Sequence, residues 1–140
     1  MCGCHESHIN KPELTVDTLL TDSRSLTYPQ GTLFFAIETK SNDGHRFLAE
    51  LFRRGVRNFV VSALERVPAQ VLAEANVLVV DSALRALHSL AKAHRSRFQI
   101  PVIAVTGSRG KTVAKEWLYQ LLRDDYRIVR SPRSYNSKIG

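Results

Sequence analysis

Residues 102–112 read VIAVTGSRGKT. An apolar run, two glycines, a lysine and a threonine stand there in the order a phosphate-binding loop requires. Such a loop needs backbone N–H groups turned into one concavity, a helix N-terminus behind them, a cation for the outer phosphates and a hydroxyl for a metal. Val102, Ile103, Ala104 and Val105 have the composition of a buried parallel strand, and Gly107 and Gly110 permit a tight turn with close backbone approach. Val113, Ala114, Trp117, Leu118, Leu121 and Leu122 then recur at three- and four-residue spacing, which predicts a helix over 111–123. The usual pattern G-x-x-x-x-G-K-[ST] would put its first glycine at position 105, where this chain has Val105. Two readings stand at this point: a nucleotide-binding loop, or an ordinary strand-to-helix turn with a solvated lysine.

Upstream, strand-like and helix-like segments alternate. TLFFAI at 32–37 predicts a strand, HRFLAELFRRG at 45–55 a short helix stopped by Gly55, and RNFVVS at 57–62 a second strand. PAQVLAEA at 68–75 predicts a weaker helix and NVLVVD at 76–81 a third strand. Asp81 and Ser82 are N-cap candidates for a helix running to about Arg97, with Leu84, Leu87, Leu90, Ala91 and His94 on its apolar face. Downstream, YRIVR at 126–130 predicts the strand after the phosphate-loop helix. The fold class is therefore α/β. One strand-helix-strand unit cannot bury both faces of a parallel sheet, so the second domain is expected to be cut off, with a boundary near residues 98–101.

With 140 residues, 44% hydrophobic and 24% charged, the chain has an ordinary globular composition. No apolar run approaches the roughly 20 residues of a membrane helix, and MCGCHESHINKPE has no apolar signal core, so a cytoplasmic location is expected. Cys2, Cys4, His5 and His8 are potential zinc ligands crowded into one short segment, whereas structural zinc sites draw on separated pairs. A frayed, solvated terminus over residues 1–17 is the expectation. The formal charge of +7 is uneven: residues 101–140 hold 8 Lys and Arg against 3 Asp and Glu. A polyanionic small molecule accounts for that excess with fewer assumptions than nucleic acid, for which no recognition motif is present.

Several ordered segments resemble a known family. TDSRSLTYPQGTLFFAI, NDGHRF, VVD, IAVTGSRGKT and SYNSKIG together are similar to the N-terminal portion of the Mur ligases, the ATP-dependent amide ligases of peptidoglycan synthesis. The likeness is greatest to the branch that adds D-alanyl-D-alanine to a UDP-N-acetylmuramoyl tripeptide. KEWLYQLL and SPRSYNSKIG look closer still to the form fused to an alanine racemase in Bacteroidetes. Members of the family use a TG[TS]xGKT loop without the outer glycine, so Val105 is no defect.

The resemblance implies a UDP-substrate-binding α/β domain over 18–98, followed by the truncated start of an ATP-binding phosphate-loop domain over 99–140. It places Ser23 and Arg24 against the uridine diphosphate, with Asp43, Gly44 and His45 near the same nucleotide. His45 is as readily a structural hydrogen-bonding residue, and the alternative for the DSR segment is a capped turn with a solvated arginine. Gly107, Ser108, Arg109, Gly110, Lys111 and Thr112 would hold the ATP phosphates, with Lys111 as the catalytic cation and Thr112 as the Mg²⁺ ligand. Asn136 would face the muramoyl substrate; Ser131, Arg133 and Ser134 depart from the T-x-G-N of relatives before it. ATP and Mg²⁺ are the implied cofactors, and the UDP-N-acetylmuramoyl peptide and D-alanyl-D-alanine the implied partners. The implied reaction passes through an acyl phosphate. A metal-binding glutamate, a histidine, a carbamylated lysine and the amine-binding domain of the family lie beyond residue 140, so the chain alone is expected to be inactive. An unrelated phosphate-loop kinase or NTPase, and a non-catalytic nucleotide- or RNA-binding module, are the competing readings.

Overall fold

Side chains of successive residues in the central strands go to opposite layers, and that alternation builds two cores on one sheet. The strands are β3 (Thr32–Phe35), β4 (Asn58–Val61) and β5 (Asn76–Val80). Phe34, Phe59, Val61 and Val77 face one layer, closed by Leu48, Leu51 and Phe52 of α1 (Leu48–Arg53) and Val71 of α2 (Ala69–Glu74). Phe35, Val60 and Val80 face the other, covered by Ala83 and Ala86 of α3 (Ala83–Arg95). The Phe34 and Phe59 rings meet edge to face at 6.5 Å.

This computed structural model describes residues 4–40 and 42–131. It divides into two compact units, Met1–Phe98 and Gln99–Gly140. In the first, two further strands, β1 (Cys4–His8) and β2 (Thr18–Leu20), complete a five-stranded sheet of order β1-β5-β4-β3-β2. Strands β2 to β5 run parallel, and β1 pairs antiparallel with β5. Parallel pairing demands crossovers, which α1 and α2 supply.

The expected frayed terminus is corrected over residues 4–11. Beyond the β1 ladder, Asn10 Nδ2 donates to the Leu72 and Ala75 carbonyls, each at 2.7 Å. The buried Asn76 amide donates to the Lys11 carbonyl and to Asn58 Oδ1, both at 2.8 Å, while its Oδ1 accepts the Lys11 N–H. Buried amides without those partners would cost free energy, so the terminus is held by polar satisfaction rather than apolar burial.

Two expected helices are modified. The segment from Gly44 begins as a 3₁₀ turn, Gly44–Phe47, before α1. Helix α3 ends at Arg95, and its Ser82 cap is as expected, the hydroxyl accepting from the Arg85 N–H.

In the second unit, α4 (Lys111–Leu122) forms where the spacing predicts it. The expected strands at 102–106 and 126–130 do not form among the described residues. Helix hydrogen bonds are local, but a strand exists only through a neighbour, and no described strand lies in this unit to provide one. Val102, Ile103 and the α4 residues Val113, Trp117 and Leu121 are correspondingly exposed.

Candidate functional site

The C-terminal ends of parallel strands carry the binding loops in open α/β sheets. Two of the motifs named above emerge there on neighbouring strands. After β2, Asp22 caps the 3₁₀ turn Ser23–Ser25 by accepting the Arg24 N–H at 3.1 Å. The same carboxylate grips the Arg24 guanidinium, with Nε donating at 3.0 Å and Nη2 at 2.7 Å. The Arg24 side chain is 85% exposed. Its side-chain hydrogen bond, then its backbone N–H, holds the Asp22 carboxyl below its usual pKa range. Ser23 is buried, and its carbonyl accepts from Arg54 Nη1 at 3.1 Å. The DSR segment is thus a capped turn that presents an oriented guanidinium to solvent.

After β3, the loop from Glu38 to His45 is pinned at both ends. Gly44 donates to the Ile37 carbonyl at 3.0 Å, and a Cβ there would lie 2.7 Å from the Ile37 nitrogen. Only glycine fits so close to backbone. Asp43 Oδ1 accepts from the His45 N–H at 2.9 Å and lies 2.6 Å from His45 Nδ1. His45 Nε2 accepts the Ser62 N–H at 3.2 Å, which fixes the tautomer: Nδ1 carries the proton and donates it to Asp43. The His45 side chain is 2% exposed, so its role is to tie the β3 loop to the β4 loop.

Arg66 completes that tie, with Nη1 3.1 Å from Asp43 Oδ2 and 3.4 Å from Glu38 Oε1. Burial works against the charged Asp43 carboxylate, but the His45 N–H groups and Arg66 outweigh it and keep its pKa below the ordinary value. Ser62 and Arg66 were not legible as site residues, because no motif surrounds them and their contacts span 17 and 23 residues.

In the second unit, Gly107 and Gly110 have φ of 150° and 77°, the left-handed region, and Gly110 is the N-cap of α4. No side chain caps that helix start, which leaves the end of a 12-residue helix to receive an anion. Lys111 Nζ donates to the Gly107 carbonyl at 2.5 Å, spanning the loop that also contains Ser108 and Arg109. The residues present therefore suit phosphate: donors at a helix terminus, a cation beside them and the Thr112 hydroxyl next in sequence. Farther on, Arg130 packs on the Tyr119 ring at 4.1 Å and pairs with Glu116, and Lys115 donates to the Ser131 carbonyl at 2.8 Å. Asn136 lies outside the described residues.

An open groove of about 930 Å³ lies elsewhere, at the N-terminal ends of β2, β3 and β4, between Lys11, Asp17, Tyr28 and Arg57. Arg57 there is spent on structure: Nη1 donates to the Phe52 and Val56 carbonyls and the guanidinium lies 4.1 Å from the Phe52 ring. Volume alone does not place chemistry, and none of the candidate site residues lines this groove. As for zinc, His5 Nε2 lies 2.5 Å from Asp81 Oδ1, and no group of three or more metal-ligating side chains is found among the described residues. No described helix is long and apolar enough to cross a membrane.

No family model matches the chain. It is 35% identical over 130 residues to the UDP-N-acetylmuramoyl-tripeptide–D-alanyl-D-alanine ligase of Synechocystis sp., covering 91% of this chain and 27% of that protein. It is 33% identical over 128 residues to the ligase of the same name from Bacillus subtilis, again covering 91% and 27%. Among solved structures it is similar to MurF ligase from Thermotoga maritima in complex with ADP, with a TM-score of 0.73 and 29% identity over 93% of this chain and 28% of that one. A MurF structure from Acinetobacter baumannii gives a TM-score of 0.69 at 34% identity, over 81% and 24% of the two chains. The chain thus spans about 27% of the length of these two curated relatives.

Proposed function

We propose that the chain belongs to the Mur ligase family and that it supplies two substrate sites of an ATP-dependent amide ligase of peptidoglycan precursor synthesis. The first unit takes the UDP part of a UDP-N-acetylmuramoyl peptide through Ser23, Arg24, Asp43, Gly44 and His45. Arg24 meets the phosphates, for which a planar guanidinium is suited. Buried as they are, Ser23 and His45 act mainly by shaping the loops that the nucleotide meets. The second unit holds the ATP phosphates on Gly107, Ser108, Arg109, Gly110, Lys111 and Thr112, with Thr112 towards Mg²⁺ and Asn136 towards the muramoyl group. When bound, ATP with Mg²⁺ supplies the phosphoryl group.

The reaction this serves is transfer of the γ-phosphoryl group to the substrate carboxylate, with release of ADP. The amine of D-alanyl-D-alanine then attacks the acyl carbon and phosphate leaves as the amide forms. Lys111 offsets charge that develops on the transferred group, an effect exerted mainly in the transition state. Residues that bind and activate the amine are not assigned to these two units, so the chain by itself is expected to bind without ligating.

The observation that carries the reading is the emergence of Asp22–Arg24 and Asp43–His45 at the C-terminal ends of adjacent parallel strands β2 and β3. The test is a titration of UDP-N-acetylglucosamine, a commercially accessible UDP-sugar, into the parent chain and Arg24→Ala. Loss of charge-assisted hydrogen bonds should lower affinity about tenfold. Equal affinity of the two proteins removes Arg24 from the site and with it the uridine-nucleotide reading. A phosphate-release assay with both substrates is expected to stay at background, and turnover by this chain alone would overturn the division of labour.

A further inference from the structure

Beyond the motif residues, the sheet edge holds an ion cluster whose charge count is unfavourable for a phosphate ligand. Glu38 and Asp43 both sit on the β3 loop, and their carboxylates meet at one guanidinium, Arg66 Nη1, at 3.4 Å and 3.1 Å. Asp43 cannot swing away, because its Oδ1 is held by the backbone N–H and the ring of His45. Glu38 is tied by a backbone bridge to Asp43. Among the described residues no other lysine or arginine pairs with either carboxylate. Removing Arg66 would leave two uncompensated negative charges at the strand ends where Arg24 also emerges, across one intervening strand. Strands lie about 4.8 Å apart, so the β2 and β4 ends are roughly 10 Å apart, close to one screening length at 0.1 M salt.

We propose that Arg66 is a specificity residue of this site: by offsetting one of the two negative charges of Glu38 and Asp43 it admits a phosphate-bearing nucleotide, whereas a neutral nucleoside has no need of it. The inference rests on the uridine-nucleotide reading above. Arg66 here is a positioning and charge-compensating group, acting through the carboxylates it covers. Like-charge juxtaposition chiefly changes selectivity between ligands, which is why the readout is a ratio rather than a single affinity.

The experiment compares UDP with uridine by NMR titration of the 140-residue chain and its variants. Arg66→Gln is expected to weaken UDP about fivefold at low salt and uridine less than twofold, and 0.5 M salt should erase most of the difference. Arg66→Lys, which restores the charge, and the double variant Glu38→Gln/Arg66→Gln, which removes one carboxylate, should both recover UDP binding. Unshifted amide signals of His45 and Ser62 verify that the two loops keep their shape. If those signals move, Glu38→Gln alone carries the test, and it should tighten UDP without affecting uridine. Equal losses for UDP and uridine, or a loss indifferent to salt, would overturn the proposal and leave Arg66 a structural clasp. If UDP fails to bind the parent chain, or Arg24→Ala leaves its binding unchanged, the underlying nucleotide reading fails instead.

Discussion

Gly44→Ala is the sharpest test of how the β3 loop is built. The missing Cβ would sit 2.7 Å from the Ile37 nitrogen and 2.8 Å from the carbonyl carbon and Cα of Ala36. Carbon needs about 3.5 Å from such atoms, so the two backbone segments must part by roughly 0.7 Å. Overpacking of that kind costs about 1–3 kcal/mol. The parting also stretches the Gly44 N–H to Ile37 carbonyl bond, now 3.0 Å, for a further ~0.5–1.5 kcal/mol. A total of about 2–4 kcal/mol follows, and in a unit of this size each kcal/mol lowers Tm by roughly 4–8 °C. The assay must report on the first unit. The single tryptophan, Trp117, lies in the second, so its fluorescence is uninformative and far-UV circular dichroism or amide NMR is needed. The φ of Gly44 is not in the left-handed region, so steric crowding alone is being tested. A Gly44→Ala chain that melts within 2 °C of the parent, with unshifted Asp43 and His45 amides, would refute the close-approach argument.

Other expectations follow from the same contacts. His45→Ala leaves the Ser62 N–H without its acceptor in a partly buried place and should destabilise the first unit by about 1–3 kcal/mol in urea denaturation, whereas His45→Gln should recover part of it. Asp43 has a folded pKa below its ordinary 3.8, so its contribution is present above that value and lost as pH falls through the lower folded value; Asp43→Asn should flatten the stability profile on the acid side of 3.8. Deleting residues 1–9 removes β1 and bares the β5 edge, and amide exchange of Val77–Val80 should then accelerate by more than tenfold. Asn76→Ala strips partners from Asn58 and Lys11 together and should cost about 2 kcal/mol by thermal melting.

What could be read in advance follows the range of the interactions. Helix α3 was legible from Ser82 and an apolar stripe within 16 residues, and β3, β4 and β5 from short apolar runs. Strand β1 was hidden because CHESH has no apolar alternation. Its place is set by a ladder to β5 and by amide bonds to residues 62 to 65 positions away. The site shows the same division. Asp22, Arg24, Asp43 and His45 were picked out by the motifs that carry the family resemblance, and their caps close over two residues. Ser62 and Arg66 do not, since nothing local distinguishes them until the strands bring the β3 and β4 loops side by side.

The second unit follows from the same distinction and limits what its loop can be asked to do. Helix α4 and its glycine start need only their own residues, and they form. The strand before them needs a neighbour, and Val102 and Ile103 remain exposed. A phosphate loop gains its binding energy from N–H groups held in a fixed curve, and the holding comes from the strand on one side as much as from the helix on the other. With the helix alone, the donors at Lys111 and Thr112 have a direction, while those between Thr106 and Gly110 follow no described strand. On the proposed reading, Lys111, bonded to the Gly107 carbonyl, would exchange that acceptor for phosphate. ATP affinity would then depend on the pairing of a strand before the loop far more than on Lys111, whose charge would act chiefly on the phosphoryl group in transfer.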